Sequence, residues 1–167
     1  AISRPPRAML LDLHLDGEDG LCVLARLRAS GYPGLAFVLS GDNSFAAAHR
    51  AARAGADGYL VKGPRLDLPK ELGALMSGAE NPDALGRMSE ASRAYLASCG
   101  LTRKELALAE ELAADCAKEK AIATRTDRSE TAVRKGFESI RDKLGATSQH
   151  DLARMIGILS CLGGRTR

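Results

Sequence analysis

Between residues 7 and 63 short apolar runs alternate with Ala- and Leu-rich stretches of helical length: AMLLDL, GLCVLARLRAS, LAFVLS, SFAAAHRAARAG and GYLVK. Apolar runs this short, spaced by segments long enough for a helix, predict parallel strands buried on both faces and joined by crossover helices, a doubly wound α/β arrangement. Gly31 and Gly55 stand where the two helices should stop. A third helix is expected over 68–77. The Gly, Asn and Pro of 78–82 then break the pattern, and a helical run over 84–98 leads to Gly100.

From residue 101 onward the periodicity is helical throughout. Thr102 followed by Glu105 has the spacing of a capping box in front of a Leu- and Ala-rich helix. Three more helices are predicted over 118–125, 130–144 and 149–162, with Ser129 and Ser148 as N-caps and Gly145 as a stop. In the third of these four helices Val133, Phe137, Ile140 and Leu144 form one apolar stripe, while Arg134, Glu138 and Arg141 make one charged row and Lys135, Ser139 and Asp142 the next.

Composition narrows the function. At 167 residues, 45% hydrophobic and 27% charged, the chain holds one domain or two small ones and has material for a core. Three Phe, three Tyr and no Trp argue against stacking on single-stranded nucleic acid. The net charge of +3 is too small to imply nucleic-acid binding by itself, but its excess falls in 101–167, with 13 Lys and Arg against 10 Asp and Glu. Cys22, Cys99, Cys116 and Cys161 form no C-x-x-C pair, and His14, His49 and His150 lack ligand spacing, so the cysteines are expected to be small hydrophobes in a reducing compartment. With no run of 18 apolar residues and no signal-like start, a cytoplasmic protein without membrane contact is expected.

In a parallel sheet, reactive groups gather at the carboxyl ends of the strands. Asp12, Ser40 and Lys62 end the three successive apolar runs. Singly they could be a cap, a turn residue and a solvated charge. Together they suit phosphoryl transfer, with a carboxylate to attack phosphorus and a hydroxyl and an ammonium to bind its oxygens.

Over 8–63 the stretch resembles the receiver domain of two-component response regulators, on the strength of LLDLHL, Asp19 and Gly20, the LSG of 39–41 and the AGADGYLVK of 54–62. The resemblance implies that Asp12 is the phosphoacceptor, that Ser40 and Tyr59 are switch residues and that Lys62 pairs with the phosphate. It further implies that Asp12 and the backbone carbonyl of His14 help to bind Mg2+, if the receiver is complete and phosphorylated, and that the phosphodonor is a sensor histidine kinase. Asp16 and Gly17 occupy the region of the family's usual Pro, and Gly63 and Pro64 replace its Lys-Pro ending. Receivers have five strands, and the three seen here correspond to strands 3 to 5. Met9 to Leu11 would therefore form an apolar sheet edge, which points to a chain that begins inside the domain; a degenerate receiver, or an edge covered by a partner chain, are the alternatives.

A short helix, a turn over 126–128 and the striped helix 130–144 make a helix-turn-helix, whose second helix can enter the DNA major groove; a solvated helix in a small bundle would show the same periodicity. Over 101–154 the chain resembles the LuxR-type helix-turn-helix of the NarL/FixJ regulators, through Leu101, Thr102, Glu105, Ile122, Ala123, Ser129, Val133, Arg134, Ile140 and the KLG of 143–145. The resemblance implies base contacts from Arg134, Lys135 and Glu138, phosphate contacts from Thr102, Ser129 and Lys143, and a role for Arg141 on the same DNA-facing helix. Cys116, Thr126, Arg128, Ala132 and Gly136 depart from the family pattern. A Gly within a helix costs roughly 0.5–1 kcal/mol relative to Ala. Leu152, Met155, Ile156 and Leu159 of the last helix resemble the family's dimer-forming helix, and core packing would produce the same stripe.

The expected architecture is thus α/β plus all-α: a partial flavodoxin-like receiver over 1–79, a helical linker over 80–100 and a four-helix LuxR-type helix-turn-helix domain over 101–167. The expected function is that of a non-enzymatic, homodimeric regulator of transcription that binds double-stranded DNA and is switched by phosphorylation of Asp12. A regulator that acts by constitutive dimerisation or protein contacts is the alternative.

Overall fold

The computed structural model describes residues 5–15, 17–64, 66–77, 88–114 and 119–163. Asp16, the break at 78–82, the start of the run 84–98, Cys116 and Lys118 lie outside them. The chain divides into two compact units, Ala1–Ala79 and Glu80–Arg167.

In the first unit β1 (Ala8–Asp12), β4 (Leu35–Ser40) and β5 (Gly58–Val61) form a parallel sheet in the order β1-β4-β5. The register sets Asp12 opposite Leu39 and Ser40 opposite Val61. Helices α1 (Gly20–Ala29) and α2 (Phe45–Arg53) are the crossovers, and α3 (Leu68–Ser77) follows β5. Asp19 caps α1 by accepting from the Leu21 N–H, Ser44 caps α2 by accepting from the Ala47 N–H, and the chain leaves these helices through Gly31 and Gly55, both at positive φ. Ala47, Ala48, Ala51 and Ala52 give α2 a fully buried small-residue face. β1 is an outer strand, and Leu10 is 38% exposed on it.

One element had no counterpart in the periodicity. β2 (His14–Leu15) and β3 (Glu18–Asp19) pair antiparallel in a miniature hairpin between β1 and α1, turning through Gly17 at φ 90°. Two-residue strands are too short for alternation to register. A second unforeseen feature is Arg28, whose guanidinium donates to the carbonyls of Gly55 (3.0 Å), Tyr32 (2.9 Å) and Gly34 (2.7 Å) and to Asp57 Oδ2 (2.5 Å). Asp57 also accepts from the Ala36 N–H at 2.8 Å, so this half-buried pair ties the end of α1 to the starts of β4 and β5.

The second unit contains α4 (Glu90–Ser98), α5 (Arg103–Ala114), α6 (Glu119–Arg125), α7 (Glu130–Leu144) and α8 (Gln149–Gly163). The four helices expected after residue 101 are present. The run expected as a linker is instead partly a member of this unit: Leu96 of α4 is buried, and the Ser92 hydroxyl donates to the Leu159 carbonyl of α8 at 3.0 Å. Gly145 stops α7 in the left-handed region at φ 71°, which L side chains enter only at a cost.

Leu152, Met155, Ile156 and Leu159 are each fully buried within the unit. The stripe on α8 is therefore core, because α8 packs its apolar side against α4, α5 and α7. The expectation that these four residues form a dimer surface is corrected accordingly. Ile156→Ala should destabilise the unit by about 2–5 kcal/mol. Urea denaturation measures that loss, and sedimentation of the folded variant should show an unchanged oligomeric state.

Candidate functional site

The parallel register of the first unit brings Asp12, Ser40 and Lys62 to one sheet edge. The Lys62 ammonium bonds Asp12 Oδ2, and the His14 N–H donates to Asp12 Oδ1 at 3.0 Å. Lys62 reaches this position because its own N–H donates to the Ser40 carbonyl at 2.7 Å, continuing the β4–β5 ladder by one residue. The hydrogen bond from Lys62, then that from His14, hold the Asp12 carboxyl below the usual carboxylate range, so it is ionised at neutral pH.

Ser40 is fully buried, and its hydroxyl oxygen accepts from the Asp42 N–H at 3.1 Å. Tyr59 is buried as well, its hydroxyl donating to the Asp42 carbonyl at 2.6 Å. Burial raises the Tyr59 phenol above its ordinary value, with the neighbouring Ser40 hydroxyl opposing the shift. Asp42 had drawn no notice in the sequence; its backbone serves both switch candidates, and its carboxylate accepts from the Ser44 N–H at 2.8 Å at the start of α2. A depression of about 390 Å³ opens beside the cluster between the β2–β3 hairpin and α2, lined among others by His14, Ser40, Asp42 and Arg50.

Mg2+ takes near-octahedral oxygen ligands. Asp12 and the His14 carbonyl are the donors expected for it, and both Asp12 oxygens already accept hydrogen bonds. No group of three His, Cys, Asp or Glu side chains among the described residues could hold a metal ion.

Gly20 sets how closely α1 approaches the acidic end of β1. Its N–H donates to the Leu13 carbonyl at 3.0 Å, and a Cβ there would overlap the Asp12 carbonyl oxygen and lie 3.0 Å from Leu13 Cα. Both obstacles are backbone, so neither can rotate away. Gly20→Ala should lose roughly 1–3 kcal/mol in urea denaturation, whereas Gly63→Ala, with nothing within 4 Å of the added carbon, should stay within about 0.5 kcal/mol of the parent.

In the second unit α6 is joined to α7 by a turn through Thr126 and Asp127. The Thr126 hydroxyl donates to the Ile122 carbonyl at 2.7 Å, and Asp127 adopts φ 51° to redirect the chain. Arg128 donates to the Lys104 carbonyl at 3.2 Å, and Ser129 caps α7 by accepting from the Ala132 N–H at 3.2 Å. Val133, Phe137, Ile140 and Leu144 are buried, while Arg134, Lys135, Glu138 and Asp142 are exposed and Arg141 is half-buried. Gly136 faces the core: a Cβ there would run into Leu108 Cδ1, and Leu108 is itself buried in α5. The Gly that weakens the helix locally is what lets α7 close on α5.

Thr102 and Lys143, expected as phosphate contacts, are brought together by Glu105. This carboxylate is only 8% exposed. Its Oε2 accepts from the Thr102 N–H (2.7 Å) and hydroxyl (2.8 Å), its Oε1 accepts from the Ser139 hydroxyl (2.6 Å), and the Lys143 ammonium bonds both oxygens at 2.8 and 2.7 Å. Burial alone would raise the Glu105 carboxyl, but Lys143, Ser139 and Thr102 together hold it down at about 2. Because 2 lies below the ordinary glutamate value of 4.5, this stabilisation is present above 4.5 and is lost as pH falls from 4.5 towards 2. The stability difference between the parent and Glu105→Gln should be about 2–3 kcal/mol at neutral pH and should shrink over that interval, as read by urea denaturation at a series of pH values.

No protein-family model matches the chain, and no curated protein matches its sequence. Solved structures do. The RcsB response regulator of Salmonella typhimurium is 23% identical at a TM-score of 0.40, over 88% of this chain and 72% of that one. RcsB of Salmonella enterica serovar Typhimurium bound to the promoter P1flhDC in the presence of phosphomimetic BeF3- is 21% identical at 0.41, over 90% and 75%. The response regulator ChrA of a heme-sensing two-component system is 20% identical at 0.35, over 89% and 74%.

Proposed function

We propose that the chain is a response regulator that binds double-stranded DNA through α7 and is switched by phosphorylation of Asp12. The observation that carries the DNA reading is the division of α7 between a buried stripe and an exposed face with Arg134 and Lys135 near its capped N-terminal end. The N-terminal residues of a recognition helix are the ones that reach base edges, and Arg pairs bidentately with guanine. Glu138, exposed one turn on from Arg134, would accept from cytosine N4. Ser129 at the cap and Arg141 further along α7 stand as flanking contacts.

For the switch, the ionised Asp12 attacks the phosphorus of a kinase phosphohistidine or a small phosphodonor, forming an acyl phosphate as the donor bond breaks. Lys62 then pairs with a phosphoryl oxygen, and Ser40 and Tyr59 rearrange around it. Such a change alters DNA binding only through a two-state element that both sites bias. With the α8 stripe in the core, dimer formation on paired half-sites would use another surface.

The exposed carboxylates of Glu138 and Asp142 favour a second reading, a regulator acting by protein contacts. Duplex binding over a salt series separates the two. Binding should weaken steeply with salt, and Arg134→Ala should cost about 1–3 kcal/mol of affinity and relax the preference at one base pair. A phosphodonor should shift the affinity of the parent and leave Asp12→Asn unmoved. Absence of duplex binding at low salt, with and without the donor, would overturn the DNA reading.

A further inference from the structure

The contacts around Glu105 carry an inference that rests on the DNA reading and deepens it. Lys143 lies on the helix that carries Arg134 and Lys135, two turns beyond Lys135 and in the same row through Ser139. Position alone would count it with the phosphate-binding cations. Its ammonium, however, bridges both oxygens of Glu105, at 2.8 and 2.7 Å, and its side chain is 30% exposed against 10% for that of Glu105. Releasing Lys143 to a phosphate would leave a buried carboxylate without its counter-ion, the costly outcome for an ion pair of this kind. The three hydrogen bonds from Thr102 and Ser139 fix the carboxylate in place, so it cannot follow the lysine outward.

We propose that Glu105 is a positioning residue that occupies the site on Lys143 which a nucleic-acid phosphate would otherwise take. Lys143 is thereby withdrawn from the anion-binding surface, and the charge of α7 towards a duplex is set by Arg134, Lys135, Glu138, Arg141 and Asp142. Glu105 thus fixes the orientation of α7 on α5 and limits how strongly salt controls binding.

Two measurements on the full chain test this. Acetylation with a limiting amine reagent, followed lysine by lysine by mass spectrometry, should find Lys143, exposed like Lys104, Lys120 and Lys135 but held by Glu105, several-fold slower than those three, and Glu105→Gln should remove the difference. Duplex binding over a salt series should become steeper in Glu105→Gln by about 0.9 in the slope of log K against log salt, one added phosphate contact, and adding Lys143→Gln to that variant should cancel the increment. A folded Glu105→Gln with the parent slope, or an increment that survives in the double variant, would overturn the proposal, since a merely structural Glu105 would change stability and leave the salt dependence alone. If Glu105→Gln does not fold, the parent protein decides: Lys143 acetylated as fast as Lys104 and Lys135 overturns the proposal. That arm needs no DNA, so a chain that fails to bind duplex defeats the DNA reading while the sequestration of Lys143 is still decided.

Discussion

A carboxylate taken out of water must be paired and hydrogen-bonded, and the way Glu105 meets that requirement organises the helical unit. Glu105 begins as a local device, accepting from the Thr102 N–H at the start of α5. Its remaining capacity is filled by Ser139 and Lys143, one turn apart on α7. The same carboxylate therefore caps one helix and locks the rotation of another. With Gly136 closing on Leu108, this contact determines which side chains of α7 face inward and leaves Arg134, Lys135 and Glu138 outside.

The α/β unit is governed by a constraint of a different kind. Parallel pairing aligns the ends of β1, β4 and β5, and Lys62, just beyond β5, meets Asp12 at the end of β1. Gly20 completes the arrangement by letting α1 begin directly against the carbonyl of Asp12. An ionised acid held by an ammonium and an amide, next to a buried hydroxyl and a buried phenol, is a polar cluster at a sheet edge, where chemistry is possible because packing is supplied elsewhere by Leu24, Phe37, Val38, Leu60 and the alanines of α2.

Much of this was legible along the chain, because periodicity and caps are local. The three parallel strands, the helices with their N-caps at Ser129 and Ser148, the stop at Gly145 and the meeting of Asp12 with Lys62 all follow from spacing and strand direction. What escaped is long-range or very short. The reach of Glu105 to Lys143 spans 38 positions, and that of Arg28 to Asp57 spans 29. The β2–β3 hairpin is too small to leave an alternation. Burial also has a side that periodicity does not disclose: the stripe of Leu152, Met155, Ile156 and Leu159 has the same spacing whether it faces a second copy or the unit's own core, and here it faces the core. Gly136 looked like a defect in α7 until Leu108 supplied its reason.

The central claim is that the exposed N-terminal half of α7 is a surface for duplex DNA while Lys143 and α8 serve the fold. Backbone amide chemical shifts of the full chain, followed while a short duplex is added at low salt, test it most directly. The account predicts that the shifts concentrate between Arg128 and Glu138, with Lys143 and the buried stripe of α8 unmoved. Shifts centred on α8, or none on α7 at any duplex concentration, would contradict it.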